Sequence, residues 1–280
     1  LIAARHRWRA GGAHERSGGI IISSESVHAS IPQAARAMDA ELLLVPGDEL
    51  GRLDRASLQA VLRALGDDAS GVCAGVATAG TTNAGVLDDL EAAADACEEL
   101  GAWLHVDGAY GLAAACSPRY RHLFRGVERA DSLIVDPHKW LFGPFDSCAL
   151  VYREPAVAKE AHTQRADYRD VLQDSDESGR PHWNPSDYAH HLSRWPRGLP
   201  LWFSLVALGT DAYAEAIDTT MALAKQAAAL AREVPHLELL VEPELTTVVF
   251  ARLGWTSSDY AEWSRRAMEA GTGVLLPTTW

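Results

Sequence analysis

The stretch DSLIVDPHKWLF, residues 131–142, decides how the chain is read. Leu133, Ile134 and Val135 make an apolar run of strand length. It ends abruptly in Asp136, Pro137, His138 and Lys139, and bulky apolar residues resume at Trp140, Leu141 and Phe142. A solvated surface lysine seldom has such neighbours. Desolvation disfavours an ammonium, and a neutral amine is a nucleophile towards carbonyl groups. The same apolar texture recurs upstream in residues 20–24 (IIISS), 41–46 (ELLLVP), 71–80 (GVCAGVATAG) and 103–107 (WLHVD), which with 132–136 read as five buried strands. Helical patterns lie between them, among them DRASLQAVLRALG and LDDLEAAADACEELG; the second has an acidic first turn, favourable at the positive end of a helix dipole. Continuous rather than alternating apolar strands, separated by helices, predict an α/β fold with a mainly parallel sheet covered on both faces. Ligands of such sheets bind beyond the carboxyl ends of the strands. The polar groups TAGTTNAG, HVDGAYG and DPHKW all stand where strands end, so they are expected to converge at one edge.

From residue 162 to 185 the texture turns polar and rich in turn formers, which predicts a mobile loop. Residues 199–233 follow as a long helical pattern. LELLVEPELTTVVFARL then reads as a hairpin, SSDYAEWSRRAMEAG as a helix and GVLLP as a strand. The expected division is a large domain over residues 1–197, then a long helix and part of a small α+β domain over 198–280.

Composition narrows the function classes. With 280 residues, 48% hydrophobic and 22% charged, the chain can bury a large core. A net charge of -13 without a basic cluster argues against nucleic acid as a partner. Cys73, Cys97, Cys116 and Cys148 are widely spaced, which argues against a metal site or a disulfide framework and for reduced thiols in a cytoplasm. No apolar run is long enough to span a bilayer, so no membrane association is expected. The chain opens on LIAARHRW, in mid-helix pattern, and stops in VLLPTTW, in mid-strand pattern; it reads as an internal piece of a longer protein.

An amine positioned to attack a carbonyl points to pyridoxal phosphate, which also needs an acid at its pyridine nitrogen, a packing surface for its ring and anchors for its phosphate. Asp107 ends a strand upstream of Lys139 and supplies a candidate acid. The string WLHVDGAYG, followed by RHLFRGVERADSLIVDPHKWLFGPFDSCALVY, resembles the group II pyridoxal-phosphate decarboxylases, most of all their aromatic-L-amino-acid decarboxylase branch. SESVHAS, TAGTTNAGVLDDL and DPHKW match that family's histidine, threonine and lysine motifs, and the likeness runs from Leu1 to at least Trp202.

The resemblance implies a fold type I, pyridoxal-phosphate-dependent transferase-like architecture and decarboxylation of an L-amino acid by a cytoplasmic homodimer. It implies that His28 stacks on the cofactor ring, Thr82 lies near the substrate, Asp107 pairs with the pyridine nitrogen and Ala109 packs beneath the ring. Lys139 would carry the Schiff base, with His138 beside it. It also implies a loop tyrosine that protonates the substrate carbon, and Tyr168 stands at the matching distance, 168 − 139 = 29 residues on. Relatives that make aldehydes commonly replace this tyrosine by phenylalanine or the stacking histidine by asparagine, and this chain keeps both. Aldehyde synthesis or transamination on the same fold, and a fragment inactive by itself, stay open as alternatives. The branch favours an aromatic substrate; acidic, basic and imidazole side chains stay open. Two departures stand out. Asp136 occupies a position where the branch usually has asparagine, and the small-residue motif that anchors the phosphate would precede LIAAR. Asp88, in the threonine motif, reads as an acidic residue at a helix start rather than a catalytic one.

Overall fold

The computed structural model describes residues 1–12, 18–163 and 184–278. The five apolar runs become strands β1 (Ile20–Ser24), β2 (Glu41–Val45), β3 (Val72–Thr78), β4 (Trp103–Asp107) and β5 (Ser132–Val135). Helices α1 (Ile2–Ala10), α2 (Ser30–Ala37), α3 (Arg55–Leu65) and α4 (Leu90–Leu100) precede or separate them, and β6 (Ala149–Tyr152) and α5 (Pro155–His162) follow. The strand order is β2-β1-β3-β4-β5-β6. Every neighbouring pair is parallel except β5 with β6, an antiparallel edge that the sequence reading did not anticipate. Residues 164–183, which hold Tyr168 and most of the expected loop, lie outside the described residues.

The inner strands β1, β3 and β4 read as nearly unbroken apolar runs because both of their faces are covered. Ile20, Ile22, Leu104 and Val106 pack on one side with Leu58 of α3 and Leu90 and Cys97 of α4. Ile21, Ala74, Val76 and Trp103 pack on the other with Ala3 and Ala4 of α1, Ile31 of α2 and Ala158 of α5. Each large side chain buried this way contributes about 1.5–3 kcal/mol of transfer free energy. Helix α4 lies so close to the sheet that a Cβ on Gly75 would stand 2.5 Å from Cys97 Sγ. Asp89 caps that helix by accepting the Ala92 N–H at 2.9 Å, and Gly101 ends it in the left-handed conformation at φ 62°.

After the main sheet come α6 (Gly198–Glu233), the antiparallel pair β7 (Leu237–Val241) and β8 (Val249–Arg252), and α7 (Ser257–Glu269). The long helical pattern is interrupted at Gly209, with φ 79° and ψ 164°. Its second half buries Ile217 and Met221 against the large core. The strand expected at GVLLP does not form: residues 273–277 have no regular structure, and the Leu275 carbonyl accepts a hydrogen bond from the Ser264 hydroxyl of α7 instead of from a third strand. Among the described residues, no helix is long and apolar enough to cross a membrane.

Asp88 is not the cap of α4, which is Asp89; it is a buried brace. One oxygen accepts the Leu53 N–H at 2.7 Å and the other the Thr78 N–H at 2.6 Å, tying the segment before α3 to the end of β3. Burial outweighs these bonds and pushes the carboxyl up to about 7. The folded protein therefore holds this proton more tightly than the unfolded chain, so the stability this group contributes declines as pH rises from about 4 towards about 7. Asp88→Asn offers one acceptor for two backbone N–H groups and should cost about 1–3 kcal/mol. Urea unfolding at pH 5 and pH 8 is the check: the gap between wild type and variant should narrow at the higher pH.

Candidate active site

Parallel pairing aligns the carboxyl ends of β1, β3, β4 and β5, and each is followed by a segment bearing one of the expected residues. His28 lies in the turn between β1 and α2, exposed, its Nδ1 2.9 Å from Ser30 Oγ and accepting the Ser30 N–H at 3.3 Å. The turn of α2 thus fixes the imidazole. Thr82 follows β3 and is also exposed, whereas Thr81 beside it is buried and its hydroxyl accepts the Val86 N–H at 3.2 Å. His28 and Thr82 share an open cleft of about 500 Å³, with Glu25, Glu49, Thr81 and Asn83 among its other walls.

Asp107 ends β4 half-buried, one oxygen accepting the Ala109 N–H at 3.2 Å. The Ala109 carbonyl accepts the Asp136 N–H at 2.9 Å, so the turn after β4 is bonded directly to the turn after β5. Asp107, Ala109, His138 and Lys139 are not among the walls of the cleft that holds His28 and Thr82. The expected residues therefore form two adjoining groups along one sheet edge.

The surroundings of Lys139 correct the sequence reading. Its side chain is 42% exposed, and Nζ lies 3.1 Å from Asp136 Oδ2. The apolar neighbours turn elsewhere. Trp140 is buried, stacks on Tyr110 with ring centroids 5.2 Å apart and donates its indole N–H to Thr220 Oγ1 of α6 at 2.9 Å. Apolar residues on both sides of a lysine in sequence mark a well-packed turn, and the lysine at its tip can still reach solvent. Asp136, only 13% exposed, points at the amine. His138 braces the same turn, its Nδ1 accepting the Ser147 N–H at 3.0 Å.

The chain contains only three lysines, Lys139, Lys159 and Lys225. Lys159 lies in α5, and Lys225 of α6 sits over the Tyr120 ring at 5.8 Å. Lys139 alone follows a strand at the carboxyl edge of the sheet.

Nearby titratable groups are held uncharged. Although Cys148 is exposed, partial desolvation of its thiol, then the Asp136 carboxylate, pushes it up to about 12, so it is not a thiolate nucleophile at neutral pH. Burial pushes His105 down to about 3. Ser132 Oγ takes the Trp103 indole N–H at 2.8 Å and lies 2.8 Å from His105 Nδ1, which makes the neutral imidazole the acceptor and locks β4 to β5. This lock was not evident from local sequence, since it joins strands whose contact depends on the sheet; the Asp136 pairing is local, i to i+3, but its direction could not be read from the sequence. Among the described residues, no group of three or more His, Cys, Asp or Glu side chains is arranged to hold a metal ion.

Residues 2–253 match the family model described as the pyridoxal-dependent decarboxylase conserved domain. The aromatic-L-amino-acid decarboxylase of Bacillus atrophaeus is 30% identical over 235 residues, covering 82% of this chain and 48% of that protein. The L-2,4-diaminobutyrate decarboxylase of Acinetobacter baumannii is 30% identical over 233 residues, covering 82% of this chain and 45% of that protein. Thus the chain spans about half the length of these curated relatives. A crystal structure of Oryza sativa TDC with PLP and tryptamine superposes with a TM-score of 0.86 at 25% identity, over 99% of this chain and 60% of that one. With a family model covering most of its length and strand ends that carry His28, Thr82, Asp107 and Lys139 in the expected order, the chain belongs to the pyridoxal-dependent decarboxylase family.

Proposed function

We propose that the protein carrying this chain decarboxylates an L-amino acid to the amine and carbon dioxide, with pyridoxal phosphate bound at the carboxyl edge of the sheet. The observation that carries this reading is that the turns after the neighbouring strands β4 and β5 are hydrogen-bonded to each other, which brings Asp107 at the end of β4 near Lys139 in the turn after β5. The fit to such a group rests on unfilled polar capacity. The register pairs Thr78 with Asp107, so both side chains stand on one face, and Thr78 Oγ1 is buried with no partner among the described residues. A polar ligand at this edge would satisfy that hydroxyl and the Asp107 oxygen that Ala109 does not use.

When bound, pyridoxal phosphate supplies an electron sink for the bonds at the substrate carbon. Lys139 would hold the cofactor covalently, and Asp136 would keep the amine on station until then. Asp107 would hold a proton at the pyridine nitrogen. His28 would cover the ring, Ala109 would leave room beneath it, and Thr82 would meet the substrate. His138 would steady the lysine turn through its bond to Ser147. Tyr168 would donate a proton to the substrate α-carbon after carbon dioxide departs.

An aromatic amino acid is the first substrate to assay, on the likeness to the Bacillus relative, followed by 2,4-diaminobutyrate. A homodimer completes the reading. It would cover the apolar side chains that stand exposed on the first half of α6, Trp202, Phe203, Val206 and Leu208 among them.

Borohydride reduction of the cofactor-loaded protein and peptide mapping should place the pyridoxyl group on Lys139, and Lys139→Ala should abolish the adduct while keeping the fold. A label on Lys159, Lys225 or any other lysine would overturn the assignment. Tyr168→Phe should move products from amine towards aldehyde, ammonia and peroxide under air, because the proton donor is lost while carbon dioxide can still leave. An unchanged amine-to-aldehyde ratio, set against an anaerobic control, would make Tyr168 an ordinary residue.

A further inference from the structure

The connection between β7 and β8 reaches into the back of the active-site segments. Leu245 is 1% exposed and belongs to the same apolar cluster as Ala79, Leu112 and Trp140. Glu244 accepts the Leu87 N–H through Oε2 at 2.9 Å and pairs through Oε1 with Arg52 at 3.1 Å. Arg52 in turn pairs with Asp48 at 2.7 Å, beside the cleft wall formed by Glu49, Leu50 and Gly51. The Thr246 N–H donates to Tyr110 Oη at 3.0 Å, and the Thr246 hydroxyl bonds to the same oxygen.

The receiving surface is cut to fit. A Cβ on Gly80 would stand 2.9 Å from Tyr110 Cδ1 and 3.0 Å from Leu245 Cδ1. On Gly85 it would stand 2.8 Å from Thr247 Oγ1, and on Gly111 2.6 Å from Leu245 Cδ1. Glycines after both β3 and β4 therefore make room for residues 245–247. Tyr110 carries the contact further: it follows Ala109 in sequence, and its ring stacks at 24° on Trp140, the residue after Lys139.

We propose that residues 244–247 are a positioning element of the active site, with Tyr110 as its transmitting residue. Seated from the far end of the chain, the segment sets where the Thr82, Asp107 and Lys139 segments stand relative to one another. Packing alone would tolerate small slips. Two hydrogen bonds on one phenolic oxygen, and a carboxylate shared between an amide and a guanidinium, are directional and resist them. The inference rests on the reading of Asp107 and Lys139 as the cofactor pair.

The test uses the whole protein loaded with pyridoxal phosphate. Tyr110→Phe keeps the stack on Trp140 and removes only the hydroxyl; Thr246→Val removes the other hydroxyl and keeps the shape. Thr246→Val, which loses one hydrogen bond, should lower kcat about three- to tenfold with KM little changed, and Tyr110→Phe, which loses both, at least as much. Each should also reduce the visible circular dichroism of the bound cofactor at full occupancy, a signal of ring orientation that needs no turnover. The double variant should be no worse than the more impaired single one, because both act through one link.

A lowered melting temperature with unchanged dichroism and kcat would make the segment merely structural and overturn the proposal, as would additive effects. If Tyr110→Phe fails to fold, Thr246→Val decides alone, since the Thr246 N–H bond to Tyr110 survives in it. Failure of the decarboxylase reading is separable. It would appear as a wild-type protein that binds cofactor on Lys139 but releases no carbon dioxide, and the dichroism would still judge the positioning role.

Discussion

Thr78, Asp107 and Ile134 stand side by side in three neighbouring strands, and that register governs everything beyond the sheet edge. A parallel pair slipped by one residue would turn Asp107 to the opposite face and carry Asp136 and Lys139 out of line with it. Three bonds hold the register near the edge. Asp88 pins the end of β3 through the Thr78 N–H, Ser132 joins His105 of β4 to the start of β5, and Ala109 takes the Asp136 N–H beyond both strands. All three are polar and lie in or beside buried regions, where an unmade hydrogen bond costs more than a made one contributes. This asymmetry makes a slipped register expensive.

Charge at the edge is arranged around one amine. Asp136 lies 3.1 Å from Lys139, Asp107 is one strand away, and the Cys148 thiol beside Asp136 stays protonated. In the resembled aromatic branch the position of Asp136 usually carries asparagine. Here the carboxylate is directed at the lysine, 3.1 Å from its amine. It couples the lysine turn to its own first residue, i to i+3, within a segment already fastened by His138 and Trp140.

Much of this was legible in the sequence where the signal was local. The parallel strands could be read because each is an apolar run, buried on both faces in β1, β3 and β4 and more open in β5 and in β2 at the sheet edge, and the hairpin because its two runs flank a turn-rich connection. The edge strand β6 shows what an apolar run alone does not tell: Ala149–Tyr152 is apolar throughout but only four residues long, and at the sheet edge Leu150 and Val151 stay exposed. GVLLP had the composition of a strand but no partner to pair with, and composition cannot supply one. The exposure of Lys139 was misread because flanking apolar residues describe a segment, not the direction of each side chain. The contacts of Glu244 with Arg52 and of Thr246 with Tyr110 span 192 and 136 residues, and no window along the chain could reveal them.

Helix α6 shows the same division between what covers a surface and what awaits cover. After Gly209 it buries Tyr213, Ile217, Met221, Ala224 and Ala228; before Gly209, Leu199, Trp202, Phe203, Val206 and Leu208 stand exposed. The break at φ 79° ends one helical direction and begins another, so the two halves need not present their apolar stripes to the same neighbour. Exposed aromatic and aliphatic residues gathered on consecutive turns are costly in water, and a chain with a net charge of -13 has ample polar residues to have placed there instead. An apolar stripe on that half calls for a further surface to bury it, and under the proposed function a second copy takes that role. The covered half of α6 already supports Trp140 through Thr220, so a partner seated on the other half would act on the same helix that steadies the lysine turn.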